Sequence, residues 1–270
     1  MSAVDRQRAL AEDTDHSWAG SPRFDPALVR QGPEAIVRWA NRSFQDDLIL
    51  TSSFGGESAV MLHLVTQIVP SIRVVFIDTG YLFPETYRFM EALRERLELD
   101  VRVYAPQLTS ARLEAIHGQL WHGDPSALAR YQRVTKVEPM QRALEELRPK
   151  AWLAGLRRGQ TQHRSSLSHV ERQGPYTKIC PILDFTDEDV KRYLKEYDLP
   201  YHPLYEQGYR SIGDVHSTQP TLAGQDAREG RSLGDQRECG LHTTLAGELQ
   251  NPLASRVNLA NGLTSQNDVR

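Results

Sequence analysis

Hydrophobic positions along the chain switch repeatedly between a helical and an extended spacing, which predicts a succession of strands and helices. Pro33 to Phe44 reads as a short helix with Ile36, Val37 and Trp39 on or near its buried side. Asp47 to Ser52 is a β-favouring run broken by Ser53-Phe54-Gly55-Gly56, and Glu57 to Val69 follows with Val60, Leu64 and Ile68 at helical spacing. Arg73 to Asp78 is a second apolar strand. Pro84 then stands where a first helical turn has no use for the N–H that proline lacks, and Glu85 to Glu98 continues through Phe89, Leu93 and Leu97. Asp100 to Tyr104 alternates as a third strand. After a more helical middle, Glu138-Pro139 marks the start of a helix running to about Leu147. Ala151 to Gly155 and Tyr176 to Leu183 are further strands. Thr186 is placed to cap a helix that carries Val190, Tyr193 and Leu194.

This alternation predicts an α/β fold, a mainly parallel sheet with helices on both faces. Residues 1–25 are polar and aperiodic and read as a flexible lead-in to an α/β domain over 26–209. From about Arg210 the periodicity fades into Gly, Ser, Thr, Asp and Gln, which reads as a tail.

Composition narrows the classes. Lys and Arg number 32 against 35 Asp and Glu, a net charge of −3. That balance argues against a nucleic-acid binder, which needs a broad basic surplus; positive charge for an anionic ligand has to be local. Mean hydropathy is −0.52, and no apolar run approaches the ~18 residues of a membrane span. No basic stretch followed by an apolar one opens the chain, so secretion is not expected. Only two cysteines occur, Cys180 and Cys239. Two thiols cannot supply the four ligands of a thiolate zinc site or a cysteine-ligated iron–sulfur cluster, nor a disulfide framework. A reducing, cytoplasmic setting is expected.

Candidate chemistry gathers where predicted strands end, the edge at which open α/β sheets bind ligands. The turn Ser52-Ser53-Phe54-Gly55-Gly56 leads into a helix N-terminus, which suits a phosphate or sulfate; an ordinary tight turn is the alternative. At the second strand end, Asp78 and Thr79 form another loop. There Asp78 is placed either to bond a ribose or adenine group or to cap its own turn. Between Leu156 and Lys178, the cations Arg157, Arg158, Arg164, Arg172 and Lys178 face a single carboxylate, Glu171. Guanidinium forks bind phosphate bidentately, although a solvated basic face has the same composition. His163 and His169 read as surface or packing residues. Cys180 lies among Ile179, Pro181, Ile182 and Leu183 and reads as core. Cys239 sits between Glu238 and Gly240 in the polar tail. Arg237 or His242 would raise its thiolate fraction and Glu238 would lower it, leaving a reactive nucleophile and an incidental surface thiol both open.

Taken in order, several segments resemble the thioredoxin-dependent phosphoadenylyl-sulfate (PAPS) reductases of the sulfonucleotide reductase family. They are Thr51-Ser52-Ser53-Phe54-Gly55, Asp78 to Thr86, Lys136 to Met140, Gly155 to Arg158, Lys178 with Pro181-Ile182, Tyr201 to Leu204, Ser211 to Thr218 and Glu238-Cys239-Gly240-Leu241-His242. The resemblance implies an adenine-nucleotide α-hydrolase-like fold and a mobile C-terminal catalytic segment, 210–242, that closes over substrate; 243–270 then reads as disordered. It implies Cys239 as nucleophile, supported by Arg237, Glu238 and His242. Substrate contacts map to Ser52, Ser53, Phe54, Gly55, Gly56, Asp78, Thr79, Arg157, Arg158, Arg164, Lys178, His216, Ser217 and Thr218. The implied reaction reduces PAPS to sulfite and adenosine 3′,5′-bisphosphate in assimilatory sulfate reduction, through an S-sulfo-cysteine. Thioredoxin is the electron donor, with glutaredoxin as the alternative, in a homodimer without bound cofactor, metal or iron–sulfur cluster.

Relatives that reduce adenylyl sulfate (APS) carry a Cys-Cys and Cys-x-x-Cys cluster set that this chain lacks, which favours PAPS. Glu57 departs from that expectation, because an acid in the first loop does not obviously welcome a 3′-phosphate. The rival expectations are a cluster-free APS reductase and an ATP-dependent adenylating enzyme. The latter is suggested by the likeness of the first turn to the pyrophosphate loop Ser-Gly-Gly-x-Asp-Ser, from which Phe54 and Glu57 depart.

Overall fold

The strands are short apolar runs: β1 (Leu48–Thr51), β2 (Arg73–Ile77), β3 (Asp100–Tyr104), β4 (Ala151–Ala154), β5 (Val170–Gln173) and β6 (Tyr176–Ile179). They form one sheet in the order β3-β2-β1-β4-β6-β5. Every neighbouring pair is parallel except β5 with β6. The computed structural model describes residues 22–161, 163–221 and 230–231, without the side chain of His163. Arg237, Glu238, Cys239 and His242, the lead-in through residue 21 and the segment 243–270 lie outside the described residues.

Seven α-helices are described: α1 (Pro33–Phe44), α2 (Ser58–Thr66), α3 (Pro84–Arg96), α4 (Ser110–His117), α5 (Pro125–Gln132), α6 (Glu138–Leu147) and α7 (Asp187–Glu196). The two-residue period of a strand sends Leu48 and Leu50 to one face and Ile49 to the other. On the first face they pack with α1, α2, α3 and α7 through residues such as Ile36, Val60, Leu93 and Val190. Ile49, Val75 and Trp152 meet Val137, Met140, Ala143 and Leu144 of the α6 region on the second. Both faces are therefore covered, as a parallel sheet requires, and the expected α/β architecture is the one observed.

Local signals behave as their chemistry dictates. Pro33 and Pro84 open their helices. Thr186 and Asp189 form a reciprocal capping box on α7, so a charged first turn and two backbone donors are satisfied together. The end of β6 differs from expectation. β6 ends at Ile179, because Pro181 has no N–H for a sheet ladder, and Cys180 to Leu183 turn instead. Cys180 is nonetheless buried in the second face, and burial pushes its thiol up to about 11. Glu138-Pro139 does open α6, which ends at Leu147 as expected, but the helix is continuous with the one before it. α5 runs into α6 through a π-helical turn, Arg133–Val137. A proline ring collides with the carbonyl four residues back, here that of Thr135, and widening the preceding turn accommodates it.

After α7 the chain returns to the carboxyl ends of the strands. The His202 N–H donates to the Gly56 carbonyl at 3.1 Å, and the Val215 N–H donates to that of Tyr81 at 2.8 Å. Leu82 bridges Asp214, and Thr218 bridges Arg231. Residues 210–218 thus pack onto the α/β unit, with Asp214 wholly buried.

Candidate active site

Strand order reverses between β1 and β4, since β1 continues through β2 to β3 on one side and β4 opens the other side. Loops leave such a switch point in opposite directions and open a crevice. A cavity of about 280 Å³ occupies it, walled by the β1 turn, the end of β4 and residues 210–214 with Arg231.

The β1 turn is built around Phe54, whose left-handed backbone (φ 49°) is uncommon for a side chain of this size. Its ring is fully buried against Phe76, edge to face at 5.1 Å, and the hydrophobic anchor holds the backbone in that conformation. Ser52, Ser53, Gly55 and Gly56 then face the cavity. Ser52 Oγ accepts from the Phe54 N–H at 3.2 Å. Ser58, at the first position of α2, also lines the wall, and its Oγ is buried without a hydrogen-bond partner.

Among the described residues, five cationic side chains line this cavity: Lys136, Arg157, Arg164, Arg210 and Arg231. Two carboxylates, Glu57 and Asp214, accompany them. Arg157 is clamped between Glu57 and Asp187, the latter at 2.7 Å. Burial pushes the Glu57 carboxyl up, while the Arg157 guanidinium draws it down, and burial prevails. Lys136 donates to Asp214 at 2.5 Å with both side chains almost completely buried. Thr79 donates to the other carboxylate oxygen at 2.5 Å. Burial alone would raise the Asp214 carboxyl, yet the Lys136 ammonium, the Thr79 hydroxyl and nearby Arg231 hold it down at about 2.

The structure brings Ser52, Ser53, Gly55, Gly56, Thr79, Arg157 and Arg164 together in one wall. It sends other expected contacts elsewhere. The Phe54 side chain belongs to the core. Asp78 accepts from the Gly80 N–H at 2.8 Å and from the Tyr87 hydroxyl at 2.7 Å, the turn-capping alternative. Arg158 binds Asp184 at 2.7 Å and the Leu167 carbonyl. Lys178 is buried 3.8 Å from Glu171. His216 stacks on Trp121 at 4.1 Å with Tyr81 and Tyr131 edge-on, and burial lowers it to about 4. Ser217 donates to the Asp214 carbonyl at 3.3 Å, and Thr218 Oγ1 accepts from the Gly213 N–H at 3.2 Å. Ser217 and Thr218 thus brace the backbone of Gly213 and Asp214.

The residue-by-residue reading assigned no role to Lys136, Asp214, Arg210 or Arg231. Pro139, three residues after Lys136, was one available signal, since the π turn that accommodates its ring carries this lysine inward, and the resemblance segments Lys136 to Met140 and Ser211 to Thr218 were another. Among the described residues, no cluster of three or more His, Cys, Asp or Glu side chains is placed to hold a metal ion. No described helix is long and apolar enough to cross a membrane.

Sheet order, the glycine turn at the switch point and the cation-lined crevice define an adenine-nucleotide α-hydrolase-like α/β protein. Within that class the chain belongs to the phosphoadenosine phosphosulfate reductase family, whose domain description matches residues 47–220. It is 48% identical over 236 residues to the phosphoadenosine 5′-phosphosulfate reductase of Synechocystis, covering 87% of this chain and 95% of that one. Its counterpart from Xylella fastidiosa is 50% identical over 212 residues, covering 78% and 90%. The crystal structure of phosphoadenylyl-sulfate (PAPS) reductase from Candida auris in a phosphate complex superposes with a TM-score of 0.62 at 30% identity, covering 74% of this chain and all of that one. An FMN adenylyltransferase from Candida glabrata shares the fold alone, with a TM-score of 0.56 at 16% identity over 72% and 63% of the two chains.

Proposed function

We propose that this protein reduces 3′-phosphoadenylyl sulfate to sulfite and adenosine 3′,5′-bisphosphate, with thioredoxin as reductant and Cys239 as nucleophile. The observation that carries the reading is the crevice at the β1/β4 switch point, where five cations and a serine–glycine turn converge in a member of this family. A nucleotide with several negative charges needs such a wall. The orphan Ser58 hydroxyl at the start of α2 adds a donor where the helix end already favours an anion.

In this mechanism the Cys239 thiolate attacks the sulfonate sulfur, the S–O bond breaks, and the bisphosphate leaves carrying the electron pair. The cations neutralise charge that grows on the transferring and leaving oxygens. Cys239 is then an S-sulfo-cysteine. A thioredoxin thiolate attacks its Cys239 sulfur and expels sulfite, and the second thioredoxin cysteine resolves the mixed disulfide. Sulfur gains two electrons and the thioredoxin dithiol loses two, so no further reductant is needed.

Glu57 favours a second reading, reduction of adenylyl sulfate. Its carboxylate sits on Arg157 inside the wall, where a nucleotide of lower charge meets less repulsion. The test is sulfite release with thioredoxin, offering each nucleotide separately to wild type and Cys239→Ser. Sulfite from PAPS alone, abolished by the substitution, is the expected result. Comparable turnover of APS would install the second reading. No sulfite from either nucleotide, with folded protein and active thioredoxin, would end both.

A further inference from the structure

Asp214 poses a physical problem for a site that binds a polyanion. It is a fully buried residue in the cavity wall, ionised in its ordinary state, and its charge repels the ligand that the surrounding cations attract. A buried carboxylate is costly unless paired and fully hydrogen-bonded. Here it is both: one oxygen accepts from Lys136 and the other from Thr79, each at 2.5 Å.

Three elements meet at this carboxylate. Lys136 projects from the π turn before α6. Thr79 follows β2, and its Oγ1 also accepts from the Tyr81 N–H at 3.3 Å. Asp214 itself is tied to Leu82 by a β-bridge. Arg231 packs its guanidinium onto Gly213, where any β-carbon would overlap it. The Lys136 ammonium lies 5.7 Å from the Tyr131 ring, whose face adds a weaker attraction. A four-carbon side chain with free rotation is thereby held at one point beside the cavity.

We propose that Asp214 is a positioning residue: it fixes the Lys136 ammonium at the cavity edge, at the expense of some nucleotide affinity, so that charge developing on the ligand meets a preorganised cation. Fixed charges stabilise a transition state more than mobile ones, because they need no reorganisation as it forms. The turnover arm of this inference rests on the reductase reading, whereas its structural arm does not.

Two variants and one direct observation test it. Asp214→Asn removes the charge and keeps an acceptor; Thr79→Val removes one donor and leaves every charge. Asp214→Asn should bind adenosine 3′,5′-bisphosphate about fivefold more tightly by calorimetry, since a repelling charge is gone. Its sulfite turnover at saturation should fall about tenfold to a hundredfold, the cost of a misplaced group. Thr79→Val should lower turnover at saturation several-fold. Affinity and turnover falling together, in step with the folded fraction, would reduce Asp214 to a structural residue and overturn the proposal. Turnover within twofold of wild type would do the same. Independently of any activity, the ¹⁵Nζ signal of Lys136 should be visible at neutral pH, as it is for an ammonium held in hydrogen bonds away from water, and should vanish in Asp214→Asn. Its absence from the wild-type spectrum would overturn the proposal even if sulfite were released. A wild type that shows the signal and releases no sulfite would overturn the reductase reading instead.

Discussion

Replacing Lys136 by methionine turns the ion pair at the heart of the site into an isolated buried carboxylate. Lys136 and Asp214 are 2.5 Å apart, with side chains 7% and 1% exposed. Removing one member of such a pair costs about 3–5 kcal/mol, because the survivor keeps its desolvation penalty without its partner. The Asp214 carboxyl gives an independent figure. It is held at about 2 against an ordinary 3.8, which corresponds to about 2–3 kcal/mol of stability near neutral pH. The sign of the pH dependence distinguishes the two proteins. In wild type the folded-state value lies below the unfolded one, so the contribution is complete above 3.8 and is lost as pH falls through about 2. In Lys136→Met burial dominates and lifts the folded-state value above the unfolded one. Stability is then retained at low pH and lost as pH rises. Urea unfolding at about pH 7 and about pH 5 measures this, with an expected midpoint decrease of about 1–3 M at the higher pH. The double variant Lys136→Met/Asp214→Asn carries no orphan charge and should recover most of the loss. The difference between single and double variants isolates Asp214 from every other acid in the chain. If that difference fails to shrink on acidification, or if Lys136→Met unfolds with wild type at about pH 7, the carboxylate is not buried and paired as described.

Glu57→Gln frees Arg157 from one of its two carboxylates; KM should fall about threefold to tenfold, more for PAPS than for APS. An unchanged ratio of the two would remove Glu57 from substrate choice. Gly213→Ala places a methyl group where the Arg231 guanidinium lies. Nucleotide affinity measured by calorimetry should drop about tenfold with little change in unfolding, and undiminished binding would mean that Arg231 does not hold the ligand. His216→Phe keeps the aromatic packing and removes a ring whose Nε2 has no partner. His216 is held at about 4 by burial, below its ordinary 6.5, so it contributes a loss of stability as pH falls from 6.5 through about 4, and the variant should lose less over that range. Identical pH slopes of thermal unfolding would exclude that account.

Arg157 and Arg158 show how far local sequence reaches and where it stops. Both follow β4 at the expected edge, and nothing in the adjoining residues separates them. Tertiary packing does. Arg157 enters the wall between Glu57 and Asp187, while Arg158 turns to Asp184 and a carbonyl outside it. Lys178 is withdrawn in the same way by Glu171, which stands opposite it across the antiparallel β5–β6 pair. β5 itself carries Glu, Arg and Gln in its four residues and is a strand because β6 offers it an edge.

What the amino-acid order determined by itself is what short-range physics controls. Apolar runs of strand and helix period produced the alternating elements, Pro33 and Pro84 opened helices, Thr186 and Asp189 capped one, and the serine–glycine turn after β1 marked the edge at which the cavity lies. These depend on a few neighbouring residues and on backbone conformations that each residue type permits. Only the tertiary structure decided which charges act. Lys136 and Asp214 are 78 positions apart, and Glu57 and Arg157 are 100 apart. A carboxylate's effect depends on distance and burial, quantities that exist only once the sheet has formed and brought its strand ends together.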